Sequence, residues 1–332
     1  MIPDCTTIAT DPKRFGFHLE LRRIGLLILA LACLSQARAA PFAYVPNERS
    51  GTVSVIDTAN DQVVATIKTG GKPRGIAATP DGRRLYVSDQ PSGSLLVVDL
   101  AAREVSERIP VGKSPEGVGI SRDGAWIAVA VEENNSVSLI RTAAPSEVTS
   151  VRVSGQNPEH AVFSPDGKWL YVSAEDGAAV DVIDVAKRST VKSIKVGERP
   201  RGIGFLPDGS RAYVAAENSD RVYVIDCGRA EVIAVIAAGK RANGIAVRPD
   251  GKVVFVSNGG DASVSAIDVA SGKITATVPV GQRPWNMALT PDGKKLYVAN
   301  GRSSSVSVID ARAMTPLRDI PVGEAPWGVV VR

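Results

Sequence analysis

The tripeptide Pro-Asp-Gly begins at Pro80, Pro165, Pro207, Pro249 and Pro291, and Arg122-Asp123-Gly124 stands in the same register. The aspartates of these turns, at 81, 123, 166, 208, 250 and 292, are 42, 43, 42, 42 and 42 residues apart. So regular a period means tandem copies of one supersecondary unit, each burying its apolar face against its neighbours. One unit can be read in full. Residues 202–205 predict a strand A, Pro207-Asp208-Gly209 a tight turn, 212–215 a strand B, 222–226 a strand C and 232–236 a strand D. Val, Ile and Tyr fill the strands, while Gly, Pro, Asp and Asn fill the breaks. Four short antiparallel strands within such a period is the spacing of a propeller blade.

The count of blades follows from the ends of the chain. The end of strand C recurs seven times, at Asp57, Asp99, Arg141, Asp184, Asp226, Asp268 and Asp310. The start of strand A also recurs seven times, at Pro73, Pro115, Pro158, Pro200, Ala242, Pro284 and Pro326. The repeat region enters on a B-type strand (42–45) and leaves on an A-type strand (328–332). The expected fold is therefore all-β, a seven-bladed β-propeller of four-stranded antiparallel blades. Its ring is closed by the C-terminal A strand joining the N-terminal B, C and D strands, which leaves no open array edge.

Residues 1–39 read as an address and 40–332 as the propeller. Arg22-Arg23 precede an apolar run from Ile24 to Leu34, and Ala37-Arg38-Ala39 follows. This is the order of a secretory signal peptide with an A-x-A cleavage site, preceded by an over-long N-terminal extension. The run is too short for a membrane span. The expected location is the periplasm, with lipoprotein anchoring at Cys33 as the alternative. Residues 1–39 hold five of the 39 Lys/Arg and three of the 35 Asp/Glu, leaving 34 against 32 and a net charge of +2. A near-neutral domain offers no basic stripe for nucleic acid. Cys227 alone remains beyond Cys5 and Cys33, so no internal disulfide forms.

Tyr86-Val87-Ser88-Asp89, Phe255-Val256-Ser257-Asn258 and Tyr297-Val298-Ala299-Asn300 resemble the YVTN-type propeller repeat. Length, leader and blade count are most similar to the periplasmic propellers associated with pyrroloquinoline quinone-dependent alcohol catabolism. That resemblance implies a non-enzymatic binding or scaffold protein, accessory to a periplasmic quinoprotein dehydrogenase or a transporter component. The chain lacks a C-x-x-C-H haem motif, a G-x-S-x-G elbow and a P-loop, and the one His and one Cys of residues 40–332 make no familiar zinc site. It also lacks the Trp-ended repeats and the cysteine pair of quinoprotein dehydrogenase propellers, so it is not expected to be the dehydrogenase itself.

The candidate site lies where blades converge. One position of strand A reads Gly75, Gly117, His160, Gly202, Gly244, Asn286 and Gly328, and glycine there fits close backbone approach. The preceding position diversifies: Arg74, Glu116, Glu159, Arg201, Asn243, Trp285 and Trp327. Propeller geometry places these at one mouth of the central channel. Arginine forks suit carboxylates and Trp faces suit planar rings, so a small anionic aromatic ligand is expected, with pyrroloquinoline quinone as a candidate bound cofactor. The bland reading is that the tryptophans plug the channel and the charges pair off across the rim. An alternative function is a lactonase-like hydrolase using His160, Glu159 and Glu116 as its catalytic group, with Arg201 beside them. A second set, the B-to-C loops Glu48-Arg49, Asp89-Gln90, Glu132-Glu133, Glu175-Asp176, Glu217-Asn218, Asn258 to Asp261 and Asn300 to Arg302, is mostly acidic and reads as solvated hairpin tips facing the same side, open to a protein partner or a weak calcium ion.

Overall fold

The structure, a computed structural model, describes residues 41–332; the expected leader, with Cys5 and Cys33, lies outside the described residues. Seven four-stranded sheets follow one another along the chain. Blade 1 is built from Phe42–Asn47, Thr52–Asp57 and Gln62–Lys68, with Val330–Val331 as its inner strand. Blades 2 to 7 each run from strand A to strand D, with A strands at Pro73–Ala78, Pro115–Ile120, Pro158–Phe163, Pro200–Phe205, Ala242–Val247 and Pro284–Leu289. The unit read from sequence is blade 5, with its remaining strands at Arg211–Ala216, Arg221–Asp226 and Glu231–Ala237. Each strand extends one or two residues past its expected bounds, since ladder bonds continue into the flanking polar residues.

The ring closes as the strand pattern requires. Ala43 pairs with Val331 and Tyr44 with Val330, and Phe42 and Arg332 exchange backbone hydrogen bonds of 2.6 and 2.9 Å. The ladder is shorter than the expected 328–332, but an isolated bridge joins Asn47 to Pro326. The residues between bulge out of the sheet, as they do in the other blades. A second clasp ties blade 7 to blade 1, where Lys295 Nζ donates to Asp61 Oδ2 at 2.8 Å and Tyr297 donates to the same carboxylate.

The core is divided among the blade interfaces rather than gathered at one centre. Between blades 2 and 3, for example, Tyr86, Leu95 and Val97 pack against Ile127, Val129 and Ile140, all buried. Fully burying a Val, Leu or Ile side chain is worth roughly 1.5–3 kcal/mol, so every interface is a substantial store of stability. The Pro-Asp-Gly turns explain themselves locally: Gly82 takes a φ of 68°, its N–H donates to Thr79 O at 2.9 Å, and Asp81 Oδ1 accepts from Arg83 N at 3.0 Å.

Candidate functional site

A bulge in strand A presents the site. In blade 2, Pro73 pairs with Asp89 but Ile76 with Val87, so one extra residue is inserted on the inner strand. The same slip falls at Pro115/Val118, Pro200/Ile203, Ala242/Ile245 and Pro284/Met287. A bulge interrupts pairing and re-aims side chains, and here it contains the diversified rim residue. Serines of strand B then fix it. Ser88 Oγ accepts from Gly75 N at 2.8 Å and donates to Glu116 O on the next blade at 2.6 Å. Ser257 makes the equivalent strut from Gly244 N to Trp285 O, at 2.8 and 2.6 Å. The inner strands approach so closely that a Cβ on Gly117 would stand 2.5 Å from Glu159 O.

The mouth encloses a cavity of about 290 Å³. Arg74, Glu159, Arg201, Asn243, Trp285, Asn286 and Trp327, all expected from sequence, line it. Glu116 and His160 sit behind this lining: Glu116 is wholly buried behind Arg74, and His160 lies beneath Trp327. Glu48, Gln90, Glu132, Glu175, Arg199 and Arg283 complete the wall.

Of the two readings of the rim charges, the ion pairs follow the one in which they pair off across the rim. Arg74 donates to Glu116 Oε1 at 2.5 Å and to Glu48 Oε1 at 3.2 Å. Arg201 is clasped by three carboxylates, Glu159 at 2.5 Å, Glu217 at 2.9 Å and Glu175. Arg199 reaches Glu175 at 3.1 Å and Glu217 at 3.3 Å, while Arg283 donates to Glu217 at 2.5 Å. Of the B-to-C acids, Glu133, Asp176 and Asp261 are exposed tips, but others are not. Glu175 and Glu217 are buried: Glu175 is drawn inward by Arg199 and Arg201 of the next blade, and Glu217 by the same two arginines of its own blade and by Arg283 at the entry to blade 7. Two rings read separately from sequence are one network.

Burial sets the protonation of this network. It pushes Glu116 up to about 8, helped by the negative Glu159 and opposed by Arg74. It pushes Glu175 up to about 7, again with Glu159 adding to the rise. Burial acts on Glu159 in the same sense, but Arg201, His160 and Arg74 outweigh it and hold that carboxyl below its usual value. Glu217 is held low in the same way by Arg201 and Arg283.

The two tryptophans differ. Trp285 is half-buried on the wall, its ring beside Gly301. Trp327 is only 8% exposed and crosses from blade 1 to stack on His160 of blade 4, with ring centroids 5.3 Å apart. It forms the floor of the mouth and not a second open plate. Neither nitrogen of His160 makes a hydrogen bond, although Asn286 lies close enough to favour its proton. Burial lowers its pKa, with Glu159 pulling the other way.

Arg199 and Arg283 escaped the sequence reading. They precede strand A by one residue and hold φ of 55°, as Ser114, Asn157, Arg241 and Ala325 do with similar values in other blades. Left-handed backbone on a non-glycine residue is uncommon, and here it recurs at the entry to strand A. The signal available in sequence was the blade-to-blade variation of that position, the same signal that marked the rim. Among the described residues, no group of three or more His, Cys, Asp or Glu is disposed to hold a metal ion, and no helix is long and apolar enough to cross a membrane.

Comparison with known proteins places this architecture. A chain of Kuenenia stuttgartiensis hydrazine synthase superposes with a TM-score of 0.75 and 26% identity, over 81% of this chain and 92% of that one. A functionally unknown protein from Desulfotomaculum acetoxidans gives 0.78 at 16% identity, covering 87% and 98%. The dihydro-heme d1 dehydrogenase NirN gives 0.65 at 17%, covering 90% and 76%. The last two are likenesses of fold alone. No curated protein matches the chain. Residues 26–332 match the family described as YNCE-like beta-propeller, and with seven closed blades and the repeat running through them, the chain belongs to that family.

Proposed function

We propose that this protein is a non-enzymatic binding propeller. It holds a small polar ligand in the central mouth and presents that face to a partner in the periplasm, a quinoprotein dehydrogenase of alcohol oxidation or an associated transport component. The observation that carries this reading is the cavity of about 290 Å³, walled by residues that differ from blade to blade on a framework that otherwise repeats. Concave mouths with a few convergent polar groups are the favoured places for ligands. The likeness to a chain of hydrazine synthase, at 26% identity, supports a place beside an enzyme.

The hydrolase alternative has less support. His160 lies beneath Trp327 with neither nitrogen bonded to a carboxylate, and Glu159 is engaged by Arg201. A general base needs hydrogen-bond reach to the proton it removes. Pyrroloquinoline quinone, as a polyanion, would have to displace carboxylates from Arg74 and Arg201 to be held by them.

Isothermal titration of the purified protein with pyrroloquinoline quinone, and separately with a quinoprotein alcohol dehydrogenase, tests the reading. At least one should bind, and Trp285→Ala should weaken that binding tenfold or more. Binding of neither, or binding indifferent to the substitution, would overturn the mouth as the functional site.

A further inference from the structure

Ring closure satisfies the inner strands, but the outer strand of each blade still turns one edge to solvent. Such an edge is a template for pairing with another chain, and proteins blunt it with charges, above all lysine, or with proline. Mid-strand charges stand at Glu107, Glu147, Lys192 and Arg318 in the outer strands of blades 2, 3, 4 and 7. Those of blades 1 and 6 are interrupted by threonine and end on Lys68 and Pro279. Blade 5 has no such guard. After Glu231 its outer strand and the residue beyond read Val-Ile-Ala-Val-Ile-Ala-Ala, with Ile233 42% and Val235 47% exposed.

The ladder shows which backbone groups of this edge are free. Ala238 N donates inward to Asp220 O at 2.9 Å, and Ala237, Ile236, Val235 and Ala234 pair in turn with Arg221, Val222, Tyr223 and Val224. Hydrogen-bonded and non-hydrogen-bonded pairs alternate along an antiparallel ladder. Ile236 and Ala234 therefore bond inward, while Val235 and Ala237 direct their N–H and C=O groups outward. A register shift at Val224/Ile225 ends the regular stretch just before Ala234, so the free edge covers 234–238 and is centred on Ile236. Its flanks carry opposite charge. Glu231 precedes the apolar run and Lys240 follows it, both exposed and neither engaged by an ion pair among the described residues.

We propose that this edge is an interface with a second copy of the chain, the two outer strands pairing antiparallel about a two-fold axis at Ile236. Val235 of one copy exchanges backbone hydrogen bonds with Ala237 of the other, and Ile236 packs on its own counterpart. The reversal sets Glu231 beside Lys240 of the second copy, and the two-fold repeats that pair at the other end. This self-complementarity is what selects a second copy as the occupant. An isologous contact also uses both free edges at once, so assembly stops at the dimer. One strand per copy is a small interface, and the dimer is accordingly concentration-dependent. The edge lies on the outer wall of the ring, and the proposal is independent of the mouth and its ligand.

Sedimentation equilibrium of the purified protein, from micromolar to submillimolar concentration, should show the mass rising toward that of a dimer. Val235→Lys adds a charge to the edge and should leave only monomer. Ala237→Pro removes an outward N–H without touching the inward ladder and should do the same, with circular dichroism showing both variants folded. Val64→Lys, at a similarly exposed position on the outer strand of blade 1, should leave the dimer intact. Glu231→Lys should raise the dimer dissociation constant about tenfold, and adding Lys240→Glu to the same chain should reverse the effect. A monomer at every concentration, or a dimer that survives Val235→Lys and Ala237→Pro, overturns the proposal. So does a dimer lost equally in Val64→Lys, or a charge exchange that fails to restore pairing.

Discussion

The indole of Trp327 and the imidazole of His160 stack across the central channel, with ring planes 20° apart, although they stand on blades 1 and 4. This contact joins the last inner strand to one laid down some 170 residues earlier, roughly half the ring away, and it shuts the channel below the mouth. His160 occupies a position where five of the blades have glycine, and that extra bulk gives Trp327 something to rest on.

Removing the plug should therefore be felt twice. Trp327→Ala should destabilise the fold by about 3 kcal/mol, the low end for truncating a buried aromatic residue. Water entering the channel should also raise the pKa of His160, because its depression comes first from burial. Urea denaturation measures the first effect, and titration of the single imidazole by NMR the second, in protein lacking residues 1–39.

Arg201 is the keystone of the charged network, being the shared partner of Glu159, Glu175 and Glu217. Arg201→Ala would leave the buried Glu159 without its cation, and Glu175 and Glu217 with only Arg199 and Arg283, a loss of about 3–5 kcal/mol. The loss should shrink below pH 5, where protonation relieves the repulsion. Denaturation midpoints of wild type and variant at pH 5 and pH 8 would check this.

Glu116 gives a pH dependence whose sign is opposite to that of an ordinary ion pair. Its pKa is raised to about 8 in the fold, so between its unfolded value and pH 8 the native state binds the extra proton. Stability is then full at the acid end of that window and falls as pH rises through it, by at most about 1.4 kcal/mol per pH unit. Glu175, raised to about 7, acts in the same sense over the lower part. The depressed His160 opposes both below its unfolded pKa, so the clean window lies between pH 6.5 and 8. Thermal unfolding midpoints should decline across it, and Glu116→Gln should flatten the decline.

The glycines of the inner strands and those of the Pro-Asp-Gly turns should respond differently. Gly117→Ala would drive its Cβ to 2.5 Å from Glu159 O, and the displaced rim should cost about 1–3 kcal/mol. Gly82→Ala meets nothing within 4 Å and carries only the strain of a φ of 68°, about 1 kcal/mol. Chemical denaturation of the pair distinguishes crowding from backbone conformation.

Much of this protein was written in its sequence. The turn aspartates 42 or 43 residues apart, the strand patterns between them and the A-type ending after a B-type beginning determined seven blades and their closure. They did so because alternation, turn chemistry and period are local properties that each unit repeats. The same period located the rim, since Arg74 through Trp327 fall at one register position. What a register position cannot contain is which side chain meets which across the axis. That Arg201 is claimed by Glu159 and Glu175 as well as by Glu217 of its own blade, that Arg283 reaches Glu217, and that Trp327 spends its face on His160 depend on contacts between different blades. They were decided by the distances that ring closure imposes, and by the low dielectric of a crowded axis, where a buried charge must find whichever partner lies within reach.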